Sequence, residues 1–182
     1  MSPREDDIFT VGHSTHALEE FVELLRRNGI VSLVDVRAYP RSRRHPHFNT
    51  ESLAFELPGE GISYVHERAL GGRRSPVPGS VNGGWREEQF QGYADHMATP
   101  EFAESLARVE ELARVSPTAL MCAEGLWWRC HRRLTSDALL VRGWRVLHIG
   151  PDGATSEHEL TPFAVVSDDH LTYPPEQISL DI

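Results

Sequence analysis

Five short apolar segments alternate with amphipathic helical segments, and this alternation is the feature that most constrains the fold. The strand-like segments cover residues 8–11, 30–36, 62–66, 118–122 and 144–149. Segment 30–36 is almost continuously apolar, which is typical of a strand that is covered on both faces. Helical patterns are predicted over about 17–28, 50–57, 87–97, 100–115 and 129–142.

This order predicts an α/β fold in which a mostly parallel sheet of about five strands carries helices on both faces. We expect one domain over residues 1–160. Residues 161–182 are acidic and weakly patterned, and we predict that they form a peripheral tail.

The charge balance excludes a surface that coats nucleic acid, because the net charge of the 182 residues is −9. All 18 basic residues are arginines, so a Schiff-base lysine is also excluded. The arginines cluster at 37–44, 73–74 and 129–133. Arginine clusters on an acidic body suit a local pocket for phosphate or carboxylate.

Neither a membrane span nor a signal peptide is predicted, because no apolar run approaches the roughly 20 residues that a span needs. The sequence therefore predicts a cytoplasmic protein with no membrane partner. Two cysteines do not make a disulfide framework, so Cys122 and Cys130 are expected to be thiols.

The stretch from Thr118 to Arg133, TALMCAEGLWWRCHRR, holds the densest set of reactive side chains. Other reactive residues follow the remaining predicted strands, and these are His13, Ser14, Asp35, Arg37, His66, Glu67 and His148. The carboxyl ends of parallel strands share one edge of a sheet, and ligands bind in the crevice outside that edge. The sequence therefore predicts one convergent site.

Four residues are candidates for catalysis. Cys122 is interpreted as a nucleophile at a strand end, and the alternative is a small packing residue. Glu124 is interpreted as a general acid or base, and the alternative is an ion pair. Asp35 is a second acid–base candidate whose alternative is a buried ion pair with Arg37. His13 is equally consistent with a catalyst and with a buried, hydrogen-bonded histidine.

A further set is predicted to hold a phosphate-bearing small molecule or nucleic acid. Its members are Ser14, Arg37, Arg41, Arg43, Arg44, Trp128, Arg129, His131, Arg132 and Arg133. Ser14 lies where phosphate could meet backbone N–H groups at a helix start. One of Arg132 and Arg133 is expected to bind an anion while the other faces solvent. Arg41, Arg43 and Arg44 lie in a predicted phosphate and base contact loop, and a solvated loop is the alternative. Trp127 and Trp128 could stack a base, and packing in the core or at an interface is the alternative, with one of each expected.

No cofactor is predicted. A zinc site from Cys122, Cys130, His131 and His13 was weighed, but the spacing matches no familiar pair of zinc ligands.

Several motifs together resemble the family known as domain of unknown function 488. They are VGHSTHALEEFVELL, LVDVRAYPRSRRHPHFN, GISYVHERALGGRR, GYADHMATPEF and LMCAEGLWWRCHRRL, followed by GWRVLHI and HEL, over about residues 9–160. The resemblance implies a bacterial or archaeal cytoplasmic α/β protein without an established reaction. A label of DNA repair attaches to some members.

A more local similarity links two segments to rhodanese-type sulfurtransferases. Residues 33–37 resemble their Asp-Val-Arg strand, and residues 122–129 resemble their cysteine loop. The interval between Cys122 and Arg129 is one residue longer than expected for that loop, and two tryptophans occupy it.

Three functions follow as hypotheses. The first is an enzyme on a nucleotide or nucleic-acid substrate that uses Cys122 and Glu124. The second is a rhodanese-like thiol enzyme that uses Cys122. The third is a non-catalytic module that binds an anion or nucleic acid through the same groups.

Overall fold

A computed structural model describes residues 4–168 and 170–176 of the chain. The described residues form eight strands and five α-helices. The strands are β1 (Asp7–Gly12), β2 (Ser32–Asp35), β3 (Ser63–His66), β4 (Thr118–Cys122), β5 (Arg145–Ile149), β6 (Thr155–Glu157), β7 (Val165–Ser167) and β8 (His170–Thr172). The helices are α1 (Leu18–Arg27), α2 (Thr50–Gly59), α3 (Glu88–Met97), α4 (Pro100–Val115) and α5 (Arg132–Val141).

Six strands form the main sheet in the order β3-β2-β4-β1-β5-β6. The first five are mutually parallel, and β6 pairs antiparallel with β5 at the edge. The α/β prediction with a mostly parallel sheet is confirmed. The sixth strand was not predicted, because Thr-Ser-Glu is short, polar and fully exposed and so carries no hydrophobic signal.

Helices cover both faces of the sheet, as predicted. On one face, α1 and α2 bury Phe21, Leu25, Leu53 and Leu57 against the strands. Helices α3, α4 and α5 pack on the other face. Because β2, β4 and β1 are covered on both sides, their side chains are buried along the whole strand, which explains their apolar sequences.

The helix boundaries follow local capping chemistry. The Thr99 hydroxyl accepts a hydrogen bond from the Phe102 N–H at the start of α4, and Pro100 occupies the first turn. Helix α5 begins three residues later than predicted, because Trp127–Arg129 forms a separate 3₁₀ turn.

In the described part of the chain, no helix has the length and apolar character needed to cross a membrane.

The segment after β5 packs on the domain. The Tyr173 side chain is fully buried, and its hydroxyl donates to Oδ2 of Asp137 over 2.8 Å. The backbone N–H of Thr161 donates to Oδ1 of Asp137 over 3.0 Å. The described part of the predicted tail therefore contributes buried groups, while residues 177–182 lie outside the described residues.

Asp137 also ends a buried row of polar side chains that crosses the sheet. Nε2 of His158 lies 2.8 Å from Oδ1 of Asp137, and Nδ1 of His158 lies 3.0 Å from Nε2 of His148. Nδ1 of His148 lies 2.7 Å from the Thr10 hydroxyl. Burial, with the neighbouring charges of His158 and Arg132, lowers the pKa of His148 to about 3, so this imidazole is neutral.

We expect Tyr173→Phe to destabilise the fold by about 1–3 kcal/mol, because it leaves a buried carboxylate oxygen without its donor. Urea unfolding followed by circular dichroism measures the loss. Tyr39→Phe is the matched control, since the Tyr39 side chain is exposed and its loss of a hydroxyl should change nothing. Equal midpoints for the two variants would show that the C-terminal segment does not support the core.

Candidate active site

The loop from β4 to α5 is held against the end of β1. The N–H of His13 donates to the Cys122 carbonyl over 2.9 Å, and the N–H of Ser14 donates to the Ala123 carbonyl over 3.0 Å. A Cβ at Gly12 would lie only 1.9 Å from the Glu124 carbonyl oxygen. The loop backbone can therefore come this close to β1 only because residue 12 is glycine. The Ser14 N–H is therefore already bonded, and it is not free to receive phosphate as the sequence suggested.

Arg132 anchors the same loop from the other side. Its guanidinium is buried and donates to the Glu124 carbonyl and, over 3.4 Å, to the Thr10 hydroxyl. Its backbone N–H points to Sγ of Cys130 over 3.5 Å at the first turn of α5. Cys130 is thus placed at a helix N-terminus, where the helix dipole favours a thiolate.

Two thiols and an imidazole meet at this point. Sγ of Cys122, Sγ of Cys130 and a ring nitrogen of His131 all lie within 4.8 Å of one another. Nδ1 of His131 is 3.6 Å from Sγ of Cys130, and Nε2 is 3.1 Å from the Val36 carbonyl oxygen. A carbonyl can only accept, so Nε2 carries a hydrogen, and Nδ1 is the ring nitrogen that faces Cys130.

The two thiols are electrostatically different. Burial alone would raise the pKa of Cys130, but the hydrogen bond from Cys122 and the charge of Arg132 outweigh burial and lower it. The interaction with Cys130, together with burial, raises the pKa of Cys122. Of the two thiols, Cys130 therefore loses its proton more readily than Cys122.

The cluster opens into a cavity of about 490 Å³. Its wall contains Arg37, Ala38, Tyr39, Gly72, Arg73, Gln89, Phe90, Cys122, Ala123, Glu124, Arg129, Cys130 and His131. A Cβ at Gly72 would lie 2.8 Å from Nδ1 of His131, so the absence of a side chain keeps the imidazole accessible. Glu124 and Arg129 are exposed at the mouth.

Asp35 and Arg37 form the buried ion pair that was the alternative for both residues. Nη2 of Arg37 lies 2.6 Å from Oδ2 of Asp35, and Nε lies 2.8 Å from Oδ1. Nη2 also donates to the Phe48 carbonyl over 2.6 Å, and the Tyr64 hydroxyl donates to Asp35 over 2.7 Å. Asp35 is thus fully bonded and away from solvent, and Arg37 contributes to the cavity wall from within this network.

His13 is a buried, hydrogen-bonded histidine. Nδ1 lies 3.0 Å from the Ser14 carbonyl, Nε2 lies 3.2 Å from Nη1 of Arg37, and the ring stacks on Phe48 at 4.2 Å. Burial, reinforced by the charge of Arg37, lowers the pKa of His13 to about 4. Both nitrogens are occupied, so His13 supports Arg37 and is not placed to act on a substrate.

The other predicted binding residues are dispersed. Arg41 is exposed and pairs with Glu51 over 3.0 Å, and Arg43 and Arg44 are exposed on the following loop. Nε of Arg133 donates to the Thr161 hydroxyl over 3.1 Å, and its guanidinium lies 5.0 Å from the Trp85 ring centre.

The adjacent tryptophans divide as expected into one packed and one accessible ring. Trp127 stacks on His148 at 4.1 Å, whereas the Trp128 side chain is 48% exposed. The expectation that one of Arg132 and Arg133 binds an anion while the other faces solvent does not match the structure. Arg132 is buried and Arg133 is hydrogen-bonded to Thr161.

Sequence reasoning missed Cys130 as the thiol with the lowered pKa, and it missed Tyr39 and Arg73 in the cavity wall. The signal for Cys130 was present, since a cysteine directly before a histidine and an arginine at a helix start is a setting that favours a thiolate. The loop residues carried no such signal, because their position depends on long-range folding.

Comparison with protein families places most of this site in a known sequence family. The profile described as "Domain of unknown function DUF488" matches residues 17–139. The chain belongs to the DUF488 family. The matched region contains Cys122, Cys130 and His131, and it confirms the family predicted from the motifs. No curated protein and no solved structure matches the chain, and the rhodanese resemblance stays a prediction.

Cys122, Cys130 and His131 are also the kinds of ligand that zinc prefers. His13, the fourth ligand weighed from the sequence, is instead bonded to Arg37. The cluster therefore offers three ligands, one fewer than a closed structural zinc site uses.

We expect iodoacetamide to alkylate Cys130 at lower pH than Cys122. Only the thiolate reacts, and a lowered pKa keeps the thiolate populated as pH falls, so the Cys130 midpoint should lie well below the roughly 8.5 of a free cysteine. Peptide mass spectrometry after timed labelling assigns each site. In urea, both cysteines should titrate near the free value. Faster labelling of native Cys122 at neutral pH would contradict the assignment.

Proposed function

We propose that this protein is a cysteine-dependent enzyme that acts on an anionic, phosphate-bearing substrate, with Cys130 as the nucleophile. One observation carries the proposal: Cys130 faces the free Nδ1 of His131 at 3.6 Å, while the Val36 carbonyl fixes the other ring nitrogen. A nucleophile, a base and a group that orients the base form the recurring arrangement of nucleophilic catalysis.

The chemical step follows from this arrangement. His131 takes the proton of Cys130, and Sγ forms a bond to the electrophilic atom of the substrate. The bond to the leaving group breaks, and the leaving group departs with the electron pair and the proton held by His131. Water then attacks the covalent intermediate and gives a proton to His131, while the bond to Sγ breaks and leaves its electron pair on sulfur. The proton on His131 returns to Cys130 and restores the starting state.

Arg73 and Arg129 are suited to bind the anionic part of the substrate. Both are exposed in the wall of the cavity that contains Cys130. Among the described residues, neither forms an ion pair with a carboxylate. An unpaired guanidinium keeps its donors free for the two oxygens of a phosphate.

Glu124 and Cys122 take supporting roles in this proposal. Oε1 of Glu124 accepts a hydrogen bond from the Leu126 N–H over 3.1 Å, so the carboxylate is oriented at the cavity mouth and can exchange protons with water. Cys122 keeps its proton and hydrogen-bonds the neighbouring sulfur. A rhodanese-type reaction on Cys122 has less support, because the pKa of this thiol is raised.

A pair of alkylating reagents that differ in charge tests the proposal without knowledge of the substrate. Iodoacetate should label Cys130 faster, relative to iodoacetamide, than it labels a free thiol, because the arginines attract its carboxylate. The double variant Arg73→Gln, Arg129→Gln should lower the rate ratio about three- to tenfold. Arg27→Gln on α1 is the control, since Arg27 pairs with Glu23 far along the chain from the site.

His131→Gln adds a second readout. It removes the base while keeping a polar side chain, so the alkylation rate of Cys130 at neutral pH should fall. If the reagent ratio at Cys130 equals that of a free thiol, and if the double variant leaves it unchanged, the proposed anion site is wrong.

A further inference from the structure

A second cavity continues the first along the surface. It has a volume of about 310 Å³, and it shares Ala38, Tyr39, Gly72 and Arg73 with the cavity that contains Cys130. The two therefore form one trench, which we call the reaction trench. A single phosphate bound at Arg73 and Arg129 would leave the second cavity of the trench empty.

An exposed aromatic ring lies near two guanidinium groups where the two parts meet. The guanidinium carbons of Arg68 and Arg73 lie 5.5 Å and 5.9 Å from the centre of the Tyr39 ring. The Tyr39 side chain is 64% exposed, so much of it is open to a ligand. In the described part of the chain, neither arginine forms an ion pair with a carboxylate.

We propose that the reaction trench binds single-stranded nucleic acid, with a base stacked on Tyr39 and successive phosphates on Arg68, Arg73 and Arg129. This inference rests on the proposed function, because it names the substrate class of the same site. A positive groove with an aromatic platform is the arrangement that binds a single strand without reading its sequence.

The exposed Tyr39 ring favours single-stranded nucleic acid over a simpler anion as the ligand. Inorganic phosphate or a polyphosphate would use the arginines but would gain nothing from Tyr39. A duplex would present phosphates, but its bases are already stacked on one another and cannot reach a ring near two guanidiniums. An unpaired strand satisfies both kinds of group.

The surroundings limit binding to this trench. The net charge of −9 repels a polyanion from the rest of the surface. Glu101 lies in the wall of the second cavity and Glu124 in that of the first, so carboxylates occur within the otherwise basic trench. Arg74 also lines the second cavity, but its Nε and Nη2 donate to the Gly71 and Ala69 carbonyls and hold the loop in place.

Fluorescence anisotropy of a labelled oligothymidylate of about 12 nucleotides tests the inference, with Cys130→Ser protein so that the probe is not altered. We expect affinity to fall between about 50 mM and 200 mM salt. Tyr39→Ala should weaken binding by about fivefold or more, whereas Tyr39→Phe, which keeps the ring, should bind normally. Arg68→Gln with Arg73→Gln should weaken binding and reduce the salt slope by about 1.4. Arg27→Gln should have no effect.

Three results would overturn the inference: no salt-dependent binding, duplex binding as tight as that of the single strand, or binding that is insensitive to Tyr39→Ala and displaced equally well by inorganic polyphosphate. Alkylation of Cys130 in the Tyr39 and Arg68 variants distinguishes failure of the nucleic-acid inference from failure of the proposed enzyme function. Ordinary free-thiol reactivity at Cys130 would defeat the enzyme proposal. An activated Cys130 without oligonucleotide binding would defeat only the substrate assignment.

Discussion

A buried guanidinium at the start of α5 is the interaction on which the site depends. Arg132 donates to the Glu124 carbonyl and to Thr10, so it joins the reactive loop to a central strand. A buried charge without partners would cost several kcal/mol, and these contacts offset part of that cost. One side chain therefore fixes the loop and, after the hydrogen bond from Cys122, contributes to the lowered pKa of Cys130.

A row of polar groups extends this constraint from Arg132 through β1 and β5 back to Asp137 on the same helix. Arg132 donates to Thr10, Thr10 donates to His148, His148 donates to His158, and His158 donates to Asp137. Each of the three inner members, Thr10, His148 and His158, gives one hydrogen and accepts one, with a guanidinium at one end of the row and a carboxylate at the other. Such aligned bonds polarise one another, and the row leaves none of its imidazole nitrogens unpaired inside the core. The two imidazoles thus connect the separated charges.

The sequence was sufficient for the architecture and only in part for the site. The parallel strands were predictable because buried strands are apolar throughout, and the edge at which reactive residues meet followed from their parallel order. Within the site, the roles of Arg132 and Cys130 depend on contacts between segments, which periodicity does not encode. Tyr39 lies in a loop that has no periodic pattern, so only the folded chain places it in the trench.

The position of β1 in the sheet has a consequence for how this family is delimited. The family match begins at residue 17 and ends at residue 139, yet β1 lies between β4 and β5, and neither β1 nor β5 is within the match. A fragment cut at those limits would lose a central strand together with Thr10 and His148. The stretch that the family profile matches is therefore smaller than the sheet to which it contributes. Boundaries for a transplantable or separately expressed domain should be drawn from the strand order.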